Sequence, residues 1–211
     1  MISEVYNCDN MELMAKYPDG YFELAIVDPP YGIDAANKMN SVTGGTKHTP
    51  KDWDKFTPDE KYWKELFRVS KNQIIWGGNY FMSMIKKDSP CWIFWDKNNG
   101  DSLFADGELA WTSFSSPVRK AKIHWCGSAA KWETGQNKIH PTQKPVGLYH
   151  WLLQNYAKEG DKILDTHLGS ASSRIACHNL KFDFVGCELD KDYFDQAQQR
   201  YQEHIRQDTL F

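Results

Sequence analysis

Residues 23–34 read ELAIVDPPYGID. An apolar run, Leu24 to Val27, stops at Asp28-Pro29-Pro30-Tyr31. Neither proline can donate a backbone hydrogen bond, and both have a stiff backbone. A carboxylate and a fixed carbonyl at a strand end suit one task well. An exocyclic amine on a nucleobase is a poor nucleophile, because its lone pair is conjugated into the ring. Asp28 and the Pro29 carbonyl can accept its two N–H bonds and favour a pyramidal nitrogen. Tyr31 offers a flat face for the base. Direct displacement on an electrophile then needs only positioning and electrostatics.

A second candidate site lies near the other end of the chain. KILDTHLGSASSRIA, residues 162–176, reads as a strand, a turn with Gly169 and small residues, and a helix. Glu188 ends the next strand, 19 positions after Gly169. This is the layout of a mononucleotide-binding half of a doubly wound sheet. Small residues let a ligand approach the backbone, and the acid can accept from two ribose hydroxyls. Asp165 at a strand end favours a cationic group, such as the amino group of a methionine-derived cofactor. With one glycine, an ordinary tight β–α turn is the structural alternative.

The elements that position these residues follow from pattern. Leu24–Val27, NQIIWGG and CWIFWDK read as buried strands. In TPDEKYWKELFRVSK, Thr57 is the expected N-cap, with Pro58 in the first helical position. NYFMSMIKK reads as a short helix, and ELAWTSF and AKIHWCG as short strands between turns. The last third alternates helix and strand: KPVGLYHWLLQNYAK, KILD, SASSRIACHNL, FDFVGCEL and DKDYFDQAQQRYQEHI. Alternation of this kind predicts a largely parallel α/β sheet. Its ligands should bind outside the carboxyl ends of the strands, which puts Asp28, Asp165 and Glu188 on one rim.

Length and composition set the frame. A chain of 211 residues fits one domain. A net charge of −3 excludes a uniformly basic nucleic-acid binder but not a local basic patch. Five scattered cysteines without a C-x-x-C pair fit free thiols in a reducing compartment. No leader pattern or membrane-length apolar run is visible, so a cytoplasmic protein is expected. Aromatic residues make up 14%, nine of them Trp. They serve either an aromatic-rich core or surfaces that stack on bases. His and Cys residues have no ligand spacing, so no metal is expected.

Asp28-Pro29-Pro30-Tyr31, HPTQKP at 140–145 and DTHLGSAS at 165–172 together carry a resemblance. The chain resembles the S-adenosylmethionine-dependent amino-methyltransferases, specifically DNA adenine-N6 methyltransferases of the permuted β class. There the D-P-P-Y motif comes first and the D-P-F-x-G-S-G-T motif last. NQIIWGGNYF and WIFWDKNNG also look like core segments of phage and bacterial members. The resemblance implies a doubly wound, mostly parallel, seven-stranded-type sheet with helices on both faces. It implies a single domain with a recognition insertion at about 97–139 and a mobile loop at about 34–56. The implied cofactor is S-adenosylmethionine, and the implied partner is double-stranded DNA bound by a monomer or homodimer. Restriction–modification is a setting for such enzymes, although no partner nuclease is readable here.

Roles carry over by position. Asp28 and Pro29 would hold the target amine, Pro30 would stiffen the turn, and Tyr31 would stack on the base. Asp165, Gly169, Ser170 and Ala171 would hold the methionine end, and Glu188 the ribose. Asp9 resembles the acid at a strand end that contacts the cofactor's adenine amine, or it caps the helix NMELMAKY. Thr142 and Lys144 could hold the cofactor's carboxylate, or Lys144 merely precedes a helix starting at Pro145. Thr166 and His167 depart from the family's Pro-Phe, and Ala171 from its Gly. These departures weaken the expected cofactor grip without touching Asp28 to Tyr31.

Charge is uneven along the chain. Arg119, Lys120, Lys122, Lys131 and Lys138 face only Glu133 over residues 117–138, with Trp125 interleaved. That is a candidate backbone-contacting patch with a wedge, or else a solvated face. Lys38, Lys47 and Lys51 lie in the loop after the catalytic motif and could reach phosphates. The competing readings are the same chemistry on RNA, on cytosine N4 or on a glutamine amide, and a non-catalytic nucleic-acid-binding subunit.

Overall fold

A computed structural model of the chain describes residues 1–34, 54–100, 105–125 and 138–208. Its frame is one sheet, built from β1 (Ser3–Tyr6), β2 (Phe22–Val27), β3 (Ser70–Trp76), β4 (Trp92–Asp96), β5 (Gly107–Thr112), β6 (Arg119–Lys122), β7 (Lys162–Asp165) and β8 (Asp183–Cys187). The order across the sheet is β1-β8-β7-β2-β3-β5-β4-β6. β5 is antiparallel to both neighbours, and every other pair is parallel. The described residues thus hold eight strands rather than seven, with β6 added at the edge beyond β4.

Among the described residues six helices cover the faces: α1 (Asn10–Met14), α2 (Glu60–Val69), α3 (Met82–Ile85), α4 (Val146–Tyr156), α5 (Ser172–Leu180) and α6 (Lys191–Asp208). Strand alternation divides the core between the two faces. Leu24, Ile26, Ile74, Trp76, Ile163 and Phe184 point to α4, α5 and α6. Ala25, Val27, Ile75, Leu164 and Val185 point to α1, α2 and α3. A strand flanked by parallel partners is buried on both faces, which is why Leu24 to Val27 is a continuous apolar run. No described helix is long and apolar enough to cross a membrane.

Several boundaries differ from the sequence expectation. α2 starts at Glu60, and its N-cap is Asp59 rather than Thr57, with the Asp59 carboxylate accepting from the Tyr62 amide at 3.0 Å. A carboxylate at this position satisfies an orphan amide and meets the positive end of the helix. Pro145 is the N-cap of α4, and helical geometry begins at Val146. The segment read as a recognition insertion contributes β5 and β6 to the main sheet. AKIHWCG was read as a strand, but pairing ends at Lys122.

Trp125 also differs. It is 6% exposed, packs in the core on the α4 side, and carries Lys138 over its ring at 5.1 Å. Burial of its large apolar ring outweighs any role as a wedge. Arg119, Lys120 and Lys122 are exposed along the edge strand. Lys38, Lys47 and Lys51, with most of the proposed 34–56 loop, lie outside the described residues.

Candidate active site

The parallel strands end at one rim, and two cavities open there. The larger, about 550 Å³, lies over the ends of β1, β8, β7 and β2. The smaller, about 330 Å³, lies between the ends of β2, β3 and β5. Asp28, Pro30, Thr142 and Lys144 line both, so they form the boundary between the cavities.

Asp28 follows the last residue of β2, with its two oxygens engaged separately. Oδ1 accepts from the Tyr31 hydroxyl at 2.7 Å, and Oδ2 accepts from Lys144 Nζ at 2.6 Å. The prolines and Tyr31 are braced from outside the motif. Asp54 Oδ1 accepts from the amides of Tyr31 (2.7 Å) and Gly32 (3.1 Å), fixing the turn. Burial pushes the Asp28 carboxyl upward, and the Lys144 charge opposes it.

Lys144 is delivered by the HPTQKP segment. Gln143, buried beside it, accepts from the Ile139 amide at 3.1 Å. The Lys144 ammonium also reaches Glu108 Oε2 at 3.0 Å, and Lys97 holds Glu108 Oε1 at 2.8 Å. Burial works against the Lys144 charge, but the carboxylates of Asp28 and Glu108 hold it above the ordinary lysine value. Burial would raise the Glu108 carboxyl too, yet Lys144 and Lys97 outweigh it and hold the group down at about 2. Lys144 was expected to hold a cofactor carboxylate. Its ammonium is already shared by two acids of the chain, because a buried charge is stable only when paired.

Tyr31 is packed rather than open. Its ring lies so close to Gly77 that a Cβ there would stand 2.3 Å from Cε1. Tyr80 lies parallel to it, with ring centres 5.0 Å apart. The outward stacking surface at this end belongs to Tyr80, which is 47% exposed. Gly77, left-handed at φ 67°, makes the approach possible.

The larger cavity gathers Asp9, Thr142, Gly169, Ser170 and Glu188 from the expected cofactor set. Glu188 accepts from the amides of Gly169 (2.9 Å) and Asp190 (3.0 Å), and burial raises its carboxyl. Glu188 also lines the cavity. Gly169 is left-handed, at φ 51°. Asp9 lies three residues beyond the end of β1 and caps α1, its carboxylate accepting from the Met11 amide at 2.7 Å. It both caps and faces the cavity.

Two expected contacts are absent from the wall. Asp165 is buried behind it, its carboxylate accepting from Ser173 Oγ at 2.6 Å and the His167 amide at 3.0 Å. It ties the end of β7 to the first turn of α5, since a buried acid at a helix start satisfies amides and hydroxyls there. Burial pushes its carboxyl up to about 7. Ala171 is fully buried, left-handed at φ 60°, and caps α5 from the core. Its methyl packs inward, leaving the wall to Gly169 and Ser170.

His167, in place of the family's Phe, faces the cavity as a neutral ring. Burial lowers its value to about 3. Asn10 Nδ2 lies 3.2 Å from Nε2, and Thr166 Oγ1 lies 2.9 Å from Nδ1. Thr166 Oγ1 in turn lies 2.8 Å from the Tyr62 hydroxyl. Glu108, Lys97, Tyr80, Asp54 and Tyr62 were missed in the sequence. Only Tyr80 carried a usable signal, in the WGGNY turn at a strand end.

Among the described residues no cluster of three metal-ligating side chains exists. Residues 111–199 match the N6/N4 DNA methylase family. The chain is 23% identical to YubD of Escherichia coli (strain K12) over 208 residues, 91% of this chain and 87% of that protein. It is 32% identical to the type II methyltransferase M.HpaI of Haemophilus parainfluenzae over 78 residues, 37% of this chain and 23% of that enzyme. The fold is similar to the crystal structure of the M1.HpyAVI–SAM complex, with a TM-score of 0.62 at 21% identity, covering 95% of this chain and all of that one. The D-P-P-Y strand end, the glycine turn and the HPTQKP segment thus meet at one rim of a chain that is similar, over residues 111–199, to the N6/N4 DNA methylase family.

Proposed function

We propose that the protein transfers a methyl group from S-adenosylmethionine to the N6 amine of an adenine extruded from double-stranded DNA. The observation that carries this reading is Asp28 on the boundary between two cavities, one of a size for a nucleoside cofactor and one of a size for a base. The donor set of the larger cavity fits the cofactor. Glu188 would take the ribose hydroxyls and Asp9 the adenine amine. Gly169 and Ser170 would let the methionine end approach the backbone, and Thr142 would face it at the boundary. When bound, the cofactor supplies an electrophilic methyl group.

The smaller cavity would take the base. Tyr80, stacked on Tyr31, offers it an aromatic face. Asp28 and the Pro29 carbonyl accept the two amine protons and turn the nitrogen lone pair toward the boundary. Once the amine carries the methyl group it must lose a proton. Asp28 is the nearest carboxylate, and burial makes it a better base than a surface aspartate. The preference for adenine over cytosine N4 rests on Asp at position 28, where the resembling N4 enzymes usually carry Ser. Residues 1–211 act as a single domain in this reading, with Arg119, Lys120 and Lys122 among the phosphate contacts.

The test is to incubate the protein with labelled S-adenosylmethionine and unmethylated DNA, then digest and identify the nucleoside. N6-methyldeoxyadenosine is expected. N4-methyldeoxycytidine would reassign the base, and no methylated nucleoside from protein that binds the cofactor would refute the reading. Asp28→Ala should lower transfer by about 100- to 1,000-fold or more with the fold intact.

A further inference from the structure

Lys144 occupies the place an incoming amine needs. Its ammonium lies 2.6 Å from Asp28 Oδ2 and 3.3 Å from the Tyr31 hydroxyl, which itself donates to Oδ1. The Lys144 side chain is 3% exposed and Asp28 17%. A strong buried cation therefore draws on the negative charge that must polarise the target amine. It cannot leave for solvent without losing its pairing, which is costly for a buried charge. The chain supplies an alternative on the other side. Glu108 Oε2 is 3.0 Å from the same Nζ, and Lys97 fixes Glu108 from its far oxygen. Glu108 is the second residue of β5 and lines the smaller cavity together with Asp28.

We propose that Glu108 is a positioning residue for methyl transfer: it gives the Lys144 ammonium a second carboxylate, so that Asp28 can release it and receive the target amine. This rests on the reading of Asp28 as the amine acceptor. The exchange needs no large motion. Nζ already contacts both carboxylates, and three donor hydrogens on a flexible stem allow it to shift its main contact from one to the other. With Glu108 absent as a charge, the ammonium is committed to Asp28, and the amine must compete with it.

Glu108→Gln keeps the outline and an acceptor oxygen but removes the charge. Transfer from labelled S-adenosylmethionine to unmethylated DNA should fall about tenfold or more, while the cofactor Kd stays within about twofold. Glu108→Asp, which keeps the charge, should retain most of the rate and serves if the Gln variant folds poorly. In a Lys144→Met background, adding Glu108→Gln should change the remaining rate by less than about twofold, because the charge then has no ammonium to receive. A wild-type rate in Glu108→Gln overturns the proposal. So does an equal loss in both backgrounds, or a loss matched by weaker cofactor binding. Wild-type protein that transfers no methyl group overturns the reading of Asp28 and this role with it, whereas the preceding outcomes overturn the role of Glu108 alone.

Discussion

Asp165 and His167 stand two positions apart and titrate in opposite senses. The Asp165 value of about 7 lies above its ordinary 3.8, so the folded protein holds that proton in a window where the unfolded chain has lost it. Its contribution is present below about pH 4 and is lost as pH rises toward 7. The His167 value of about 3 lies below its ordinary 6.5, so the unfolded chain takes up a proton that the fold refuses. That contribution is present above about pH 6.5 and is lost as pH falls toward 3. Between about pH 4 and 6.5 the two slopes, each at most about 1.4 kcal/mol per pH unit, oppose one another. Relative to wild type, Asp165→Asn should therefore lose stability more steeply on acidification, and His167→Gln more steeply as pH rises. Urea midpoints measured across this range check it, and curves parallel to wild type would remove the argument. At this scale the place of Asp28 at the rim was legible, because the apolar run of β2 stops just before it. Asp165, expected to hold the methionine end, turns inward to Ser173 and the His167 amide. Its place at a strand end is visible in sequence, but whether its carboxylate turns out to a cavity or in to a helix start is decided by Ser173, eight residues on.

The turn after β3 shows how an element makes a side chain usable. Trp76 ends the strand, Gly77 takes a left-handed conformation, and the next residues form a short 3-10 turn (Gly78–Tyr80) that presents Tyr80. Gly77→Ala should strain the backbone by about 1–3 kcal/mol and push against the Tyr31 ring. The expected result is a loss of methyl transfer larger than any loss of cofactor affinity, since Gly77 lines only the smaller cavity. Equal losses in both, by single-turnover kinetics and calorimetry, would place the damage in the fold instead. Helices and strands with a strong apolar period were legible, including α2, α5, β2 and β8. Their starts were less so. Thr57-Pro58 and Asp59-Glu60 both satisfy the rules for a helix start, and Asp59 wins by reaching the Tyr62 amide. β5 and β6 were assigned to an insertion because short strands with no flanking helices carry no sign of which sheet they join.

Across the whole molecule the basic edge and the site are separated by a countable distance. β6 lies four strands from β2 in the sheet order, about 19 Å at ordinary strand spacing. That is close to the width of a duplex, which suits the proposal that the edge meets phosphates while a base reaches Asp28. Replacing Arg119 and Lys122 with Ala should weaken DNA binding across sequences and lower the salt dependence of log K by about 2, with cofactor binding unchanged. An unchanged salt slope would take β6 out of the interface. The doubly wound architecture was legible from the alternation of elements, and the resemblance supplied the order of the halves. The number of strands was not, since β6 is a four-residue piece of charged sequence, RKAK, with one buried side chain. One consequence of the strand order concerns synthesis. Among the described residues β1 pairs with β8 alone, whereas β2 has β3 on one side and β7 on the other. β2 and β3, made in succession, can pair early, but β1 must wait for β8 before it has a neighbour. The edge of the sheet that leads to Asp9 therefore closes late, when the segment bearing Glu188 emerges.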